Sequence, residues 1–65
     1  MKYIEVEYND VGERANITIY LINILYVREY KEKCRIYLAN GSYVPVTQSY
    51  QEVKDMIANA SVREA

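Results

Sequence analysis

The dipeptide Asn40-Gly41 constrains the fold of this chain more than any other feature of the sequence. Both residues tolerate a positive φ angle, so the pair favours a two-residue type I′ turn between antiparallel strands. Apolar residues occupy every second position from 33 to 38 before the turn, and alternation returns from 42 to 47 after it. Period-two alternation is typical of a half-buried strand, and the sequence therefore predicts a β-hairpin here.

Three segments upstream of this hairpin are also predicted to be strands. Residues 2–8 alternate, and residues 24–30 are rich in the β-branched and aromatic side chains that favour a pleated surface. The third segment, 16–22, differs because neither of its faces is clearly polar. Such a strand is usually central or covered by a second layer, and another subunit is a candidate for that layer in a chain with one helix.

Turn formers and one proline divide these strands. Residues 9–13 include Asn, Asp and Gly and end the first strand, while Lys31-Glu32 is predicted to be the turn of a charged hairpin. Pro45 lies inside the last strand and has no N–H group to donate. We therefore expect that strand to be an edge strand, or to be hydrogen-bonded on one side only at Pro45.

The last element is predicted to be a helix that begins after Ser49. Ser49 and Glu52 have the spacing of a capping box, in which each side chain accepts a hydrogen bond from the other residue's backbone N–H. Apolar residues then recur at helical spacing to about residue 60, and residues 61–65 are expected to form a frayed polar tail. The predicted fold class is α+β, with residues 1–60 as one small domain: about five antiparallel strands in a bent β-meander, then one C-terminal helix.

The length of 65 residues allows only one small hydrophobic core, and chains of this size usually gain stability from another source. One cysteine and no histidine exclude an internal disulfide and a Cys/His zinc site, so we expect a homo-oligomer, most simply a dimer. The net charge of −1 is unlike that of a typical nucleic-acid binder, and no apolar segment is long enough to span a membrane. The N-terminal sequence lacks a signal-peptide pattern, and we expect a cytoplasmic location.

The residues with catalytic chemistry are better explained by structural roles. Cys34 alternates with Ile36 and Leu38, so we expect it in the core, and no histidine is present to activate its thiol. Glu5 and Glu7 share one face of the first strand and are expected to be solvated there. The two glycines are isolated and form no phosphate-binding loop. We therefore predict a non-enzymatic protein with no catalytic residue, metal site or cofactor.

Eight tyrosines, with no phenylalanine or tryptophan, are the least usual feature of the composition. Tyrosine suits cross-strand pairs on a wet sheet face, protein interfaces and the stacking of nucleic-acid bases, and the composition leaves these roles open. The first expectation is an interface with another chain, formed by Ile17, Tyr20, Ile22, Tyr43 and Pro45. The alternative is a small nucleic-acid-binding regulator that uses four basic residues around one hairpin, Arg28, Lys31, Lys33 and Arg35. Glu29 and Glu32 interrupt this basic group, and charges at a hairpin tip are more often only solvated.

The second half of the chain contains a longer pattern: Ile24-x-x-Val27, then Ile36-x-Leu38-x-Asn40-Gly41-x-Tyr43-x-Pro45-Val46, then Ser49-x-x-Glu52-Val53-x-x-x-Ile57. This pattern resembles the small FlbD-type proteins that are associated with flagella and swarming motility in bacteria. The resemblance covers about residues 17–57. It implies several strands followed by one helix, and a protein with no catalytic motif to transfer.

Two other families share parts of this pattern. The segment Ile24-Leu25-Tyr26-Val27, followed by a hairpin and a helix, resembles the LytTR DNA-binding domain. Five strands and a C-terminal helix in a chain of this size are similar to the carbon storage regulator family, which forms an intertwined RNA-binding dimer. Both of these resemblances imply the nucleic-acid-binding alternative.

Overall fold

A computed structural model describes residues 1–62 of this chain and contains five strands, one 3₁₀ turn and one helix. In chain order they are β1 (Tyr3–Asp10), β2 (Glu13–Tyr20), the 3₁₀ turn (Leu21–Asn23), β3 (Ile24–Tyr30), β4 (Lys33–Leu38), β5 (Tyr43–Val46) and α1 (Tyr50–Val62). All neighbouring strands pair antiparallel in one open sheet. The predicted α+β fold, with a five-stranded antiparallel sheet and one C-terminal helix, is confirmed.

The strand order is β2-β1-β5-β4-β3, which departs from a simple meander. Strands β3, β4 and β5 are neighbours in chain order, as in a meander. Strand β3, however, does not lie beside β2, and β5 pairs with β1 instead. The sheet therefore consists of a first hairpin (β1–β2) and a meander (β3–β4–β5) whose β3–β4 pair is the second hairpin. Because β1–β5 pairing brings together distant parts of the chain, local alternation contains no information about this order.

The short connection between β2 and β3 requires the sheet to bend strongly. The two strands lie at opposite edges of the sheet, which in a flat sheet are about 19 Å apart. The three-residue 3₁₀ turn covers only about 6 Å at 2 Å per residue. The Leu21 N–H donates to the Lys2 carbonyl (2.9 Å) and the Ala39 N–H donates to the Asn23 carbonyl (2.9 Å), so the turn touches both hairpins.

The core lies between the concave face of the bent sheet and α1. Seven buried residues form one cluster, drawn from β1, β2, β4, β5 and α1: Ile4, Val6, Ile19, Cys34, Ile36, Val46 and Val53. Ile36 and Val53 are fully buried (0 % exposed), so β4 and α1 meet at the centre. The alternation predicted for residues 33–38 is confirmed, since Cys34 and Ile36 point inward while Lys33 stays exposed.

The Asn40-Gly41 hairpin is confirmed, but its predicted type I′ turn is wrong. The positive φ occurs at Gly41 (+93°) and not at Asn40. The Gly41 N–H donates to the Leu38 carbonyl (2.9 Å), and the Leu38 N–H donates to the Ser42 carbonyl (2.9 Å). This is a three-residue loop, a type I turn followed by a left-handed glycine. The Asn40 Oδ1 favours it by accepting from the Ser42 N–H (2.9 Å) and hydroxyl (2.7 Å).

Two tight turns of the predicted I′ kind occur elsewhere. Val11 and Gly12 have φ values of 48° and 83°, and Lys31 and Glu32 have values of 50° and 67°. The predicted turn at Lys31-Glu32 is confirmed. The loop predicted over residues 9–13 is too long, because β1 continues to Asp10 and β2 begins at Glu13. Valine is β-branched and rarely adopts positive φ, so the sequence did not indicate this position.

Two predictions from the sequence concern the position of a strand in the sheet. Strand β5, which contains Pro45, is not an edge strand, because it lies between β1 and β4. Pro45 pairs with Arg35 of β4, and the register with β1 begins only at Val46, so the alternative of bonding on one side holds. Strand β2 is not central, because it is an edge strand with six of its eight residues exposed, and its cover by another subunit stays a prediction. Its apolar side chains divide between the core, where Ile19 is buried and Ile17 packs against it, and solvent.

The capping box at the start of α1 is confirmed. The Ser49 N–H donates to the Glu52 carboxylate (2.8 Å), and the Glu52 N–H donates to the Ser49 hydroxyl (3.1 Å). The helix extends to Val62, two residues past the predicted end, so Ser61 and Val62 belong to α1 rather than to a tail. The remainder of the predicted tail, 63–65, lies outside the described residues. No helix within residues 1–62 has the length and apolar character needed to cross a membrane.

Candidate binding face

The meander presents one face to the core and the opposite face, here called the outer face, to solvent. Because Cys34 and Ile36 of β4 point inward, alternation sends Lys33, Arg35 and Tyr37 outward. Residues that pair across strands share a face, so the registers place the neighbours of these three on the outer face as well. The complete set is Tyr26, Arg28, Tyr30, Lys33, Arg35, Tyr37, Tyr43 and Pro45.

A row of aromatic rings crosses the three strands of the outer face. The rings of Tyr26 and Tyr37 stack with centroids 4.6 Å apart and an interplanar angle of 9°. The Tyr37 and Tyr43 rings follow at 5.4 Å, tilted by 39°. Tyr26 is 50 % exposed and Tyr43 is 44 % exposed, so ring surface remains available at both ends of the row. The arrangement is a partly open aromatic surface held on a rigid sheet.

Arg35 is held between two more ring contacts beside this row. Its guanidinium carbon lies 3.7 Å from the Tyr30 ring centroid and 4.5 Å from that of Tyr43. The Lys31 ammonium also approaches the Tyr30 ring, at 5.3 Å. Hydrogen bonding with the Tyr37 side chain is the main influence that raises the pKa of Arg35. Arg35 is therefore a fixed, permanently positive group among aromatic rings.

The charges of the outer face have one sign. Arg28 lies directly opposite Arg35 across β3–β4, and like charges in this position destabilise a sheet. Glu29 pairs with Cys34 and so belongs to the opposite face, and Glu32 lies in the turn beside Lys31, so neither occupies an outer-face position. None of the eight outer-face positions carries a carboxylate. Alternation thus separates Glu29 from the basic group, whereas Glu32 stays next to Lys31 in the turn.

A shallow cavity of about 330 Å³ lies at one end of the outer face. Its lining includes Tyr30, Lys31, Lys33, Arg35 and Tyr43, together with Asn9 and Asp10 at the end of β1. Three cationic side chains therefore converge on this cavity against one carboxylate. An anion of small size is the ligand that this balance of charges favours.

The two sets of residues predicted from the sequence have different placements. The four basic residues lie close together: Arg28, Lys33 and Arg35 are on the outer face and Lys31 is in the adjoining turn. The predicted interface set is divided, since Ile17 and Tyr20 lie on edge strand β2 and Ile22 in the 3₁₀ turn, with Tyr43 and Pro45 on β5 beyond β1.

Three outer-face tyrosines were not assigned to a site by the sequence analysis, namely Tyr26, Tyr30 and Tyr37. Their alternation with Arg28, Lys33 and Arg35 was a usable signal. This alternation does not reveal the cross-strand register, and the register decides which residues of β3 and β4 lie opposite each other.

The described residues offer little reactive chemistry. Cys34 is 1 % exposed, its thiol donates to the Arg35 carbonyl (3.7 Å), and burial raises the pKa of that thiol, which keeps it protonated. The Tyr8 hydroxyl donates to Asp10 (3.3 Å), and partial desolvation, followed by the charge of Asp10, raises the Tyr8 pKa. No group of three or more potential metal ligands comes together within residues 1–62.

A second exposed surface lies at the start of β3. Leu25 is 64 % exposed beside an irregularity in the β3–β4 register, and Ile22 in the 3₁₀ turn is 77 % exposed. Both lie near the free edge of β3, where backbone groups have no partner strand within the described residues.

Comparisons with protein-family models, with curated proteins and with solved structures find no match to this chain. The resemblances to FlbD-type, LytTR and carbon storage regulator proteins therefore stay predictions.

Proposed function

We propose that this protein is a non-catalytic binding protein that holds single-stranded nucleic acid on its outer face. The observation that carries the proposal is the combination, on one exposed face, of tyrosine rings with cations and no carboxylate. Proteins that bind single strands combine a positive surface that follows the phosphates with aromatic side chains on which bases stack. A cytoplasmic location suits both such a ligand and the single reduced thiol.

The shape of the face favours unpaired strands over duplexes. Stacking requires bases whose faces are free, and these occur in single strands and loops. The ring row and Arg35 lie on paired strands, which hold the side chains in place before the ligand arrives. Stacking on an exposed ring contributes about 1–3 kcal/mol per base by alanine substitution.

The net charge of −1 does not prevent nucleic-acid binding, because a ligand interacts mainly with the charges near its binding site. Exposed charges are screened beyond about 8 Å at physiological ionic strength, so the basic outer face acts largely by itself. Glu5 and Glu7 lie on the corresponding face of β1, the strand beyond β5. Because these carboxylates repel phosphate, the proposed path of the nucleic-acid strand across the sheet is confined to β3, β4 and β5.

Fluorescence anisotropy with a labelled single-stranded 12-mer tests the proposal. Four basic residues contacting phosphates give a slope of about −3 in a plot of log affinity against log salt, at roughly −0.7 per contact. Tyr26→Ala is expected to weaken binding about tenfold, within the range for one stacked base, and Tyr26→Phe to retain it. Tyr20→Ala is the matched control, since Tyr20 pairs with Tyr3 on the first hairpin and is 42 % exposed. Absence of binding at low salt, or equal losses in Tyr26→Ala and Tyr20→Ala, would reject the proposal.

A second candidate function is self-association, as first expected for so short a chain. The observation that favours it is the pair of exposed apolar residues, Ile22 and Leu25, beside the free edge of β3. Sedimentation equilibrium between 5 and 200 µM, about the range where weak dimers form, tests it. A Leu25→Ser variant is expected to remain monomeric where the parent chain associates. A parent chain that stays monomeric over this whole concentration range would reject self-association as a function.

A further inference from the structure

We propose that the cavity beside Arg35 binds a terminal phosphate monoester of the nucleic-acid strand. This inference rests on the proposed function and specifies how one end of the ligand is recognised. In this arrangement the nucleic-acid strand stacks along the outer face, and its terminal phosphate lies in the cavity.

The balance of charge in the cavity favours a monoester over an internal phosphodiester. Lys31, Lys33 and Arg35 line the cavity, and Asp10 at the end of β1 is the carboxylate among its lining residues. A phosphate monoester carries about −1.5 to −2 charges at neutral pH, whereas a diester inside the strand carries about −1. Three converging cations therefore gain more attraction from the monoester.

The guanidinium of Arg35 is prepared for this ligand before binding. Its contacts with the Tyr30 and Tyr43 rings restrict the side chain, so less conformational entropy is lost when its N–H donors bind phosphate oxygens. Guanidinium groups bind phosphate through two parallel hydrogen bonds, which adds directional preference to the attraction. The lysines at positions 31 and 33 add charge without this geometric demand.

The position of the cavity explains why the strand would end there. Tyr43 belongs both to the cavity lining and to the ring row, so a strand stacked along the row reaches the cavity directly. Asn9 and Asp10, from the end of β1, are also part of the lining and border the cavity beyond the meander. The volume of about 330 Å³ is at the small end for ligand sites, which suits one terminal nucleotide.

Three oligonucleotides of one sequence test the inference: one with hydroxyl groups at both ends, one with a 5′-phosphate and one with a 3′-phosphate. We expect one phosphorylated form to bind about tenfold more tightly than the hydroxyl form. In Lys33→Gln this ratio should fall to about one, whereas Lys54→Gln on α1 should preserve it. Lys33 and Lys54 are both exposed, so both variants should fold, which circular dichroism verifies. Lys31→Gln provides a second test of the same cavity.

Three other outcomes would overturn the inference. Equal binding of all three oligonucleotides rejects the terminal site but leaves the proposed function standing. Failure of every oligonucleotide to bind rejects both. A free nucleoside monophosphate that binds as tightly as the phosphorylated oligonucleotide, measured by competition, assigns the cavity to mononucleotides rather than to strand ends.

Discussion

The first hairpin (β1–β2) and the second hairpin (β3–β4) are built in the same way but have different surroundings. Each closes with a two-residue turn of positive φ, at Val11-Gly12 and at Lys31-Glu32. Each carries a pair of cross-strand tyrosines, edge-on in the first (5.9 Å) and stacked in the second (4.6 Å). The strand pairs differ in what lies beside them: β2 is exposed at the sheet edge, whereas β4 is paired on both sides and covered by the helix.

The outward charges of the two hairpins differ as well. In the first hairpin Glu5 faces Thr18, so a single charge meets a neutral partner. In the second, Arg28 faces Arg35, and the repulsion is left uncompensated within residues 1–62. A sheet tolerates such a pair at a small cost in stability, which the anion of the proposed function would offset. In the proposed function the second hairpin contacts the ligand and carries the like-charge pair, whereas the first hairpin has no such pair on the corresponding face.

The largest expected difference between the hairpins is in core stability. Ile36→Ala on β4 should lower the free energy of unfolding by about 2–5 kcal/mol, because a fully buried side chain leaves a cavity. Ile17→Ala on edge strand β2 should cost much less, since Ile17 is only half-buried. Urea denaturation followed by circular dichroism measures both. If Ile36→Ala fails to fold, Ile36→Val gives a smaller cost of about 0.5–1.5 kcal/mol; equal costs at the two positions would contradict the comparison.

The two tight turns should respond unequally to relief of backbone strain. Val11→Asn creates an Asn-Gly type I′ turn and should raise the free energy of unfolding by about 1 kcal/mol, the usual cost of left-handed backbone for a residue with a Cβ. Val11 is 98 % exposed, so no burial is lost. Lys31→Asn should stabilise less, because lysine is not β-branched. Thermal unfolding of both variants checks the order, and destabilisation by Val11→Asn would refute the strain argument.

Opposite effects on stability and binding are expected at the like-charge pair. Arg28→Glu places a carboxylate opposite Arg35, which should raise the free energy of unfolding by about 0.2–1 kcal/mol while weakening oligonucleotide binding. Thr18→Lys, opposite Glu5, is the matched change in the first hairpin and should stabilise similarly without reducing binding. The stabilisation should shrink in high salt. An Arg28→Glu variant that binds the oligonucleotide as tightly as the parent would show that the Arg28–Arg35 pair takes no part in ligand binding.

The smallest expected effect is a pH dependence that comes from the interior of the second hairpin. Burial raises the pKa of the Cys34 thiol in the folded chain above its unfolded value of about 8.5. The protonated thiol therefore contributes stability that is fully present below about pH 8.5 and is lost as pH rises through the folded pKa. The stability of Cys34→Ala should fall less steeply between pH 8 and 10 than that of the parent. Identical slopes in urea denaturation would show that the thiol makes no such contribution.

Two signals in this sequence predicted the structure correctly because the interactions behind them are local, although the equally local Asn40-Gly41 pair predicted the wrong turn type. The Ser49–Glu52 capping box depends on hydrogen bonds within one helical turn, and the inward positions of Cys34 and Ile36 depend on two-residue periodicity. The turn at Val11-Gly12 was predicted too long, over residues 9–13, because its positive φ at Val11 is imposed by the eight-residue register of β1 with β2 and not by the preference of valine. Of the candidate site, the sequence predicted the four basic residues as a group and named Tyr43 and Pro45 only for an interface with another chain, since the arrangement of tyrosines around the cations depends on cross-strand register.

The sequence by itself determined that about five strands precede one helix, which side chains of β4 face the core, and the absence of disulfide chemistry within the chain. Each of these follows from composition or from interactions among residues a few positions apart. Only the tertiary structure decided the order β2-β1-β5-β4-β3, the internal position of Pro45, the meeting of Arg28 with Arg35, and the cavity between β1 and the meander. These arise when one small core must be covered by every element at once, which bends the sheet and brings distant segments together.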